Sequence, residues 1–161
     1  MVERRTAPRA PLSLPGARLL VIESPYYPDV AAALRDGCLA EIEATGAAHE
    51  LVSVPGALEI PQALGIYMDS DASIEFDGVV ALGCVIRGET SHYDIVCANA
   101  NHWLYMIANE FGMPIGNAIL TVDTHVQAMA RAGGGRAGKG GDAAHACLSL
   151  IALRRTLQSD D

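Results

Sequence analysis

Leu82-Gly83-Cys84-Val85-Ile86-Arg87-Gly88-Glu89-Thr90-Ser91-His92-Tyr93-Asp94 runs from an apolar stretch through a turn into a periodic segment. The apolar residues read as the end of a buried strand. Arg87-Gly88 closes it, and Ser91 with Asp94, in capping-box spacing, opens a helix. Free backbone N–H groups at a helix start favour an anion. His92 lies in the same first turn, where the positive end of the helix dipole favours a neutral imidazole that can take and return a proton. Sites of this kind sit at the carboxyl ends of strands in open α/β sheets. The stretch therefore predicts an enzyme acting on a small phosphorylated or otherwise anionic substrate. The plainer alternatives are a surface histidine and a simple N-cap. Arg87 suits a phosphate or a structural carboxylate equally well.

Working outward, the same alternation repeats. Residues 19–23 read as a buried parallel strand, followed by the turn Ser24-Pro25-Tyr26-Tyr27-Pro28. Val30, Ala33, Leu34, Gly37, Cys38 and Ile42 then recur at helical spacing until Gly46. Residues 50–54 form a second strand, ended by Pro55-Gly56, and a short helix follows Glu59-Ile60-Pro61. The third strand spans 77–85. The helix from Ser91 to Gly112 is predicted to bury Ile95, Val96, Ala98, Trp103, Met106 and Ile107. A fourth strand spans 115–122, Asp123 and Thr124 cap a short helix ending at Ala132, and 133–141 is glycine-rich. A last helix runs from Asp142 to Leu157. This order predicts an α/β fold: four parallel strands, doubly wound, in a three-layer αβα sandwich. Residues 18–157 form one domain, 1–17 a flexible Pro-rich extension and 158–161 a tail.

Composition excludes several classes. The chain has 161 residues, long enough for a single core, with 50% hydrophobic but only 5% aromatic residues. A formal net charge of -8 without a basic stripe argues against nucleic acid. No signal-peptide pattern and no membrane-length apolar run appear, so the expectation is a cytoplasmic protein without membrane contact. Cys38, Cys84, Cys97 and Cys147 form no C-x-x-C pair and read as reduced and mostly buried. The five histidines fall in no ligand spacing, so no metal is expected. Gly133, Gly138 and Lys139 have phosphate-loop spacing, but Gly140 replaces the Ser or Thr that binds magnesium, and a helix precedes. What remains is a loop bearing Arg131 and Lys139, suited to an anion or a neighbouring subunit. The turn at 55–61 offers backbone groups to a heterocycle or is only a turn. Tyr26 and Tyr27 stack on a planar ligand or plug the core edge.

Together these segments resemble the lumazine synthase family. The resemblance rests on the stretch quoted first and on Val54-Pro55-Gly56-Ala57-Leu58-Glu59-Ile60-Pro61. Ile119-Leu120-Thr121, Gln127-Ala128, Arg131-Ala132-Gly133 and Gly138-Lys139-Gly140 extend it, so it covers the chain from Arg18 to Leu157. It implies a flavodoxin-like fold and a reaction without cofactor. In that reaction 5-amino-6-(D-ribitylamino)uracil and 3,4-dihydroxy-2-butanone 4-phosphate give 6,7-dimethyl-8-ribityllumazine, phosphate and water. It also implies a homopentamer, sometimes twelve pentamers in an icosahedral shell, and a functional link to riboflavin synthase.

By position, the resemblance implies that Tyr26 stacks on the pyrimidine, while Ala57, Leu58, Glu59, Val85 and Ile86 bind the ring edge and ribityl chain. Glu89 and Thr90, with Arg131, would hold the phosphate, and His92 would shuttle protons. Asn117 and Lys139 would come from the neighbouring subunit. The chain departs from the family in having Tyr26 for Phe or Trp, Asn117 where some relatives carry an aromatic, and His125-Val126 for Ile-Glu. Gly134-Gly135 also loosens the loop before Lys139. Two other functions compete: a flavin or lumazine carrier or structural shell, which would tolerate loss of His92 or Arg131, and an FMN electron carrier. The latter needs a phosphate loop after the first strand, where Pro25 and Pro28 lack N–H donors.

Overall fold

Three apolar runs, covered by helices on both faces, and one half-buried edge segment become strands. In the computed structural model, which describes residues 9–10 and 12–160, these are β1 (Arg18–Glu23), β2 (Ala48–Ser53), β3 (Gly78–Ile86) and β4 (Ile115–Val122). They pair in parallel in the order β2-β1-β3-β4. Leu20 lies opposite Glu50 on one side and Val79 on the other, and Ala81 lies opposite Asn117. The chain passes from β1 outward to β2, then returns to β3 on the other flank. A crevice therefore opens outside the carboxyl ends of β1 and β3.

The helices are α1 (Pro28–Ala44), α2 (Glu59–Met68), α3 (His92–Phe111), α4 (His125–Ala132) and α5 (Lys139–Ser159). Leu34, Cys38 and Ile42 of α1 meet Leu148 and Ile151 of α5, and Ala128 of α4, on one face of the sheet. Ile60 and Leu64 of α2 join Val96, Ala100 and Leu104 of α3 on the other. The predicted parallel sheet and three-layer sandwich are present.

Several local expectations are corrected. The second strand starts at Ala48, not Glu50; it is an edge strand with only partial burial, so its apolar signal is weak. The last helix begins at Lys139, three residues earlier than predicted, and includes Gly140 and Gly141. A Cβ on Gly140 would collide with the Leu34 carbonyl of α1 and one on Gly141 with the Arg136 carbonyl, so these glycines mark where α5 packs tightly against other backbone and not a loose loop. On α3, Val96 is buried and Ile107 half-buried, but Ile95, Ala98, Trp103 and Met106 are exposed. The residues that face the sheet are Val96, Ala100, Leu104 and Ala108. Ser91 occupies the N-cap position without a side-chain bond; the Thr90 hydroxyl accepts from the His92 amide instead, at 3.3 Å. Thr124, in contrast, forms a complete capping box with Gln127.

The Pro-rich leader lies partly outside the described residues. Its described part is strapped to its own chain. Leu14 is buried and its amide donates to the Thr45 carbonyl at 2.8 Å. Arg9 bonds Asp142, the Arg136 carbonyl and the buried Glu41, which also holds Arg136 at 2.7 Å and His145 at 3.2 Å.

Candidate functional site

The crevice holds a cavity of about 370 Å³, in the range of small-molecule sites. Three chain segments converge on it. Tyr26 and Tyr27 come from the turn after β1, Gly56 to Glu59 from the turn after β2, and Cys84 to Ile86 from the end of β3. Gly88, Thr90, His92 and Tyr93 follow directly, and Val96 closes the floor from α3. The parallel order brings these carboxyl-terminal turns together although they are far apart in sequence.

The structure thus gathers Tyr26, Ala57, Leu58, Glu59, Val85, Ile86, Thr90 and His92 in one place. Glu89 belongs to the same exposed turn but does not line the cavity. Asn117, Arg131 and Lys139 do not line it either. Asn117 sits well back along β4, where its amide donates to Asn101 at 2.6 Å and accepts from the Ile119 N–H at 2.8 Å. Arg131 donates to the Gln127 carbonyl within α4, and Lys139 pairs with Asp142 at 3.4 Å. Arg87, left open between phosphate and carboxylate, pairs with Asp123 at 2.9 Å and Asp94 at 3.7 Å. His145 is half-buried against Glu41. Sequence reasoning gave no site role to Cys84, Tyr93 or Val96. Tyr93 and Val96 follow His92 at spacings that place them on one face of the helix start, which was the available signal.

The site is apolar-walled with few polar groups. Tyr26 is 68% exposed and meets Tyr27 edge-to-face, with ring centroids 5.1 Å apart, so its free face is open to a planar ligand. Burial pushes the Tyr27 hydroxyl up from its ordinary value, and the Cys84 thiol is pushed up to about 11 for the same reason. Both are neutral near pH 7. Burial also raises Tyr93. At the rim, Asp29 is held below the usual carboxylate range by its hydrogen bond with His125, 2.7 Å away. His92 stands exposed at the mouth. Among the described residues no Lys or Arg lines the cavity, and what it offers an anion there are the backbone N–H groups and hydroxyl at the start of α3. Among the described residues no three His, Cys, Asp or Glu side chains gather as a metal set.

A flavodoxin-like sheet with a ring-sized cavity and an imidazole at the strand carboxyl ends defines a class: α/β enzymes acting on small molecules. The 6,7-dimethyl-8-ribityllumazine synthase family model matches residues 16–155. A protein of Methylobacterium radiotolerans bearing that name is 51% identical over 89% of this chain and 85% of its own length. Similar proteins are 6,7-dimethyl-8-ribityllumazine synthase 1 of Rhodopseudomonas palustris, 45% identical (94% and 96%), and that of Methylorubrum populi, 48% identical (96% and 95%). The chain belongs to the lumazine synthase family, transferases of riboflavin biosynthesis. Among the described residues no helix is long and apolar enough to cross a membrane.

Proposed function

We propose that this chain condenses 5-amino-6-(D-ribitylamino)uracil with 3,4-dihydroxy-2-butanone 4-phosphate, releasing 6,7-dimethyl-8-ribityllumazine, phosphate and water. The observation that carries this is the convergence of Tyr26, Ala57–Glu59, Val85–Ile86, Thr90 and His92 on one cavity in a chain of this family. Tyr26 stacks on the pyrimidine, and Ala57, Leu58 and Glu59 with Val85 and Ile86 bind the ring edge and ribityl chain. The turn at Glu89-Thr90 receives the phosphate.

The pyrimidine amine is already a nucleophile, so no activated Ser or Cys is needed. It attacks the ketone and water leaves to give a Schiff base; a proton leaves the carbon chain and phosphate departs, the resulting enol becomes a carbonyl, and the ribityl-bearing nitrogen attacks it with loss of a second water as the ring closes. His92 takes and returns those protons. The rate gain comes from holding both reactants together and from proton transfer.

Among the described residues the cavity has no cation for the phosphate, while Arg131, Lys139 and Asn117 lie elsewhere on the same chain. A second copy therefore completes the site, in a homopentamer that in some family members builds an icosahedral shell. The enzyme works in the cytoplasm without a cofactor and hands its product to riboflavin synthase. The test is lumazine formation from the two substrates, followed by absorbance, with the wild type beside His92→Ala. Acceleration that falls on the substitution supports the reading; ligand binding without acceleration by the wild type favours the carrier or shell.

A further inference from the structure

Arg87 is the first residue beyond β3, and its amide donates to the Val122 carbonyl at 2.9 Å. Its side chain makes three contacts that diverge in direction. The Nε donates to Asp123 at 2.9 Å, in the turn leading to α4. One terminal nitrogen lies 3.7 Å from Asp94, in the first turn of α3. The guanidinium plane covers the Tyr93 ring, 4.2 Å from its centroid. Tyr93 lines the cavity and adjoins His92.

Besides Arg87, the start of α3 is tied to the sheet through Tyr93, whose hydroxyl bonds Thr121 of β4. Residues 87–92 are all exposed, Ser91 makes no side-chain cap, and the first buried side chain on the helix is Val96. The direction of the His92 imidazole therefore depends on where this first turn sits against the sheet, and Arg87 ties that turn to both β3 and the β4–α4 turn. Each contact is exposed and weak alone, but several charges in a network hold a geometry that one pair does not. A phosphate at the same guanidinium would face two carboxylates, Asp94 and Asp123, against one positive charge. Arg87 is also absent from the cavity lining.

We propose that Arg87 is a positioning residue, which orients the His92-bearing start of α3 through Tyr93, Asp94 and Asp123, and that it is not a phosphate ligand; this rests on the function proposed above. In the full chain, Arg87→Gln lowers kcat roughly 10- to 100-fold, as expected for a misplaced catalytic group. KM for the phosphorylated substrate stays within about twofold, since no ground-state contact is lost. Asp123→Asn, which keeps the arginine, lowers kcat less. The double variant is no worse than Arg87→Gln alone, because the two residues act as one unit. Arg87→Lys rescues only in part, since an ammonium cannot bond sideways and stack at once.

A second measurement does not need turnover: the His92 ring resonances in NMR spectra of the free protein move in Arg87→Gln while the thermal midpoint is retained. If the wild type makes no lumazine, the functional reading fails, and the His92 resonances still decide the positioning claim. A raised KM for the phosphorylated substrate with kcat unchanged would overturn it in favour of direct phosphate binding. Unchanged kinetics with unmoved His92 resonances would reduce the cluster to a surface ion pair.

Discussion

Cys84 shows how a single side chain is tuned by its place. It sits at the end of the central strand and forms part of the cavity wall, where burial pushes its thiol up to about 11 from an ordinary 9.0. The thiolate fraction near pH 8 is then lower by roughly 100-fold, and alkylation follows the thiolate. We expect Cys84 to react with iodoacetamide far more slowly than a free cysteine at that pH, measured by mass spectrometry of time points. Rapid labelling would contradict a dry cavity wall. Cys38, buried between α1 and the sheet, is pushed up to about 12 by burial. A folded value raised above the unfolded one adds stability that is complete below pH 9 and lost as pH rises from about 9 toward 12. The loss is about 1.4 kcal/mol per pH unit for this group. Cys38→Ala should flatten the alkaline limb of a urea-denaturation series, and an unchanged limb would contradict the assignment.

At the scale of elements, α4 is short and relies on its cap. Thr124→Ala removes the acceptor for the Gln127 N–H, 3.1 Å away, and should cost about 1 kcal/mol in denaturant titration. Gly140→Ala should cost more, because backbone, and not a flexible side chain, stands where the new Cβ would go. Much of this was legible in the chain. Residues 115–122 form a strand with the predicted bounds because β4 is apolar and is bracketed by Pro114 and the Asp123-Thr124 cap. The start of α5 was hidden because glycine reads as loop unless one knows that another backbone passes over it. The burial of α3 was misread because the helix is apolar on more than one side, so periodicity did not say which side meets the sheet.

The candidate site divides in the same way: its motif at 82–94 announced His92 and Thr90, whereas Arg131 and Lys139 carry charge without any local signal of what they face.

Across the whole molecule, the apolar surface left uncovered on α2 and α3 needs a partner. Ile66, Ile95, Trp103, Met106 and Phe111 are each at least half-exposed on these two helices. Such a surface on a folded chain marks an interface. The homo-oligomer proposed above would cover it and bring a second chain's cations to the cavity, which has none among the described residues. Trp103→Glu should therefore yield a smaller species in sedimentation or light scattering, with activity reduced because the sites are left incomplete. An unchanged particle mass would place the interface elsewhere.

In the function proposed above, the cavity at the carboxyl ends of β1 and β3 makes lumazine with His92 moving the protons. The most direct test supplies both substrates to the purified full chain and follows lumazine absorbance for wild type and His92→Ala. Formation well above the uncatalysed background is expected, reduced on the order of 100-fold by the substitution, as for a lost general acid–base. Equal rates in the two proteins, or no acceleration by the wild type, would contradict it.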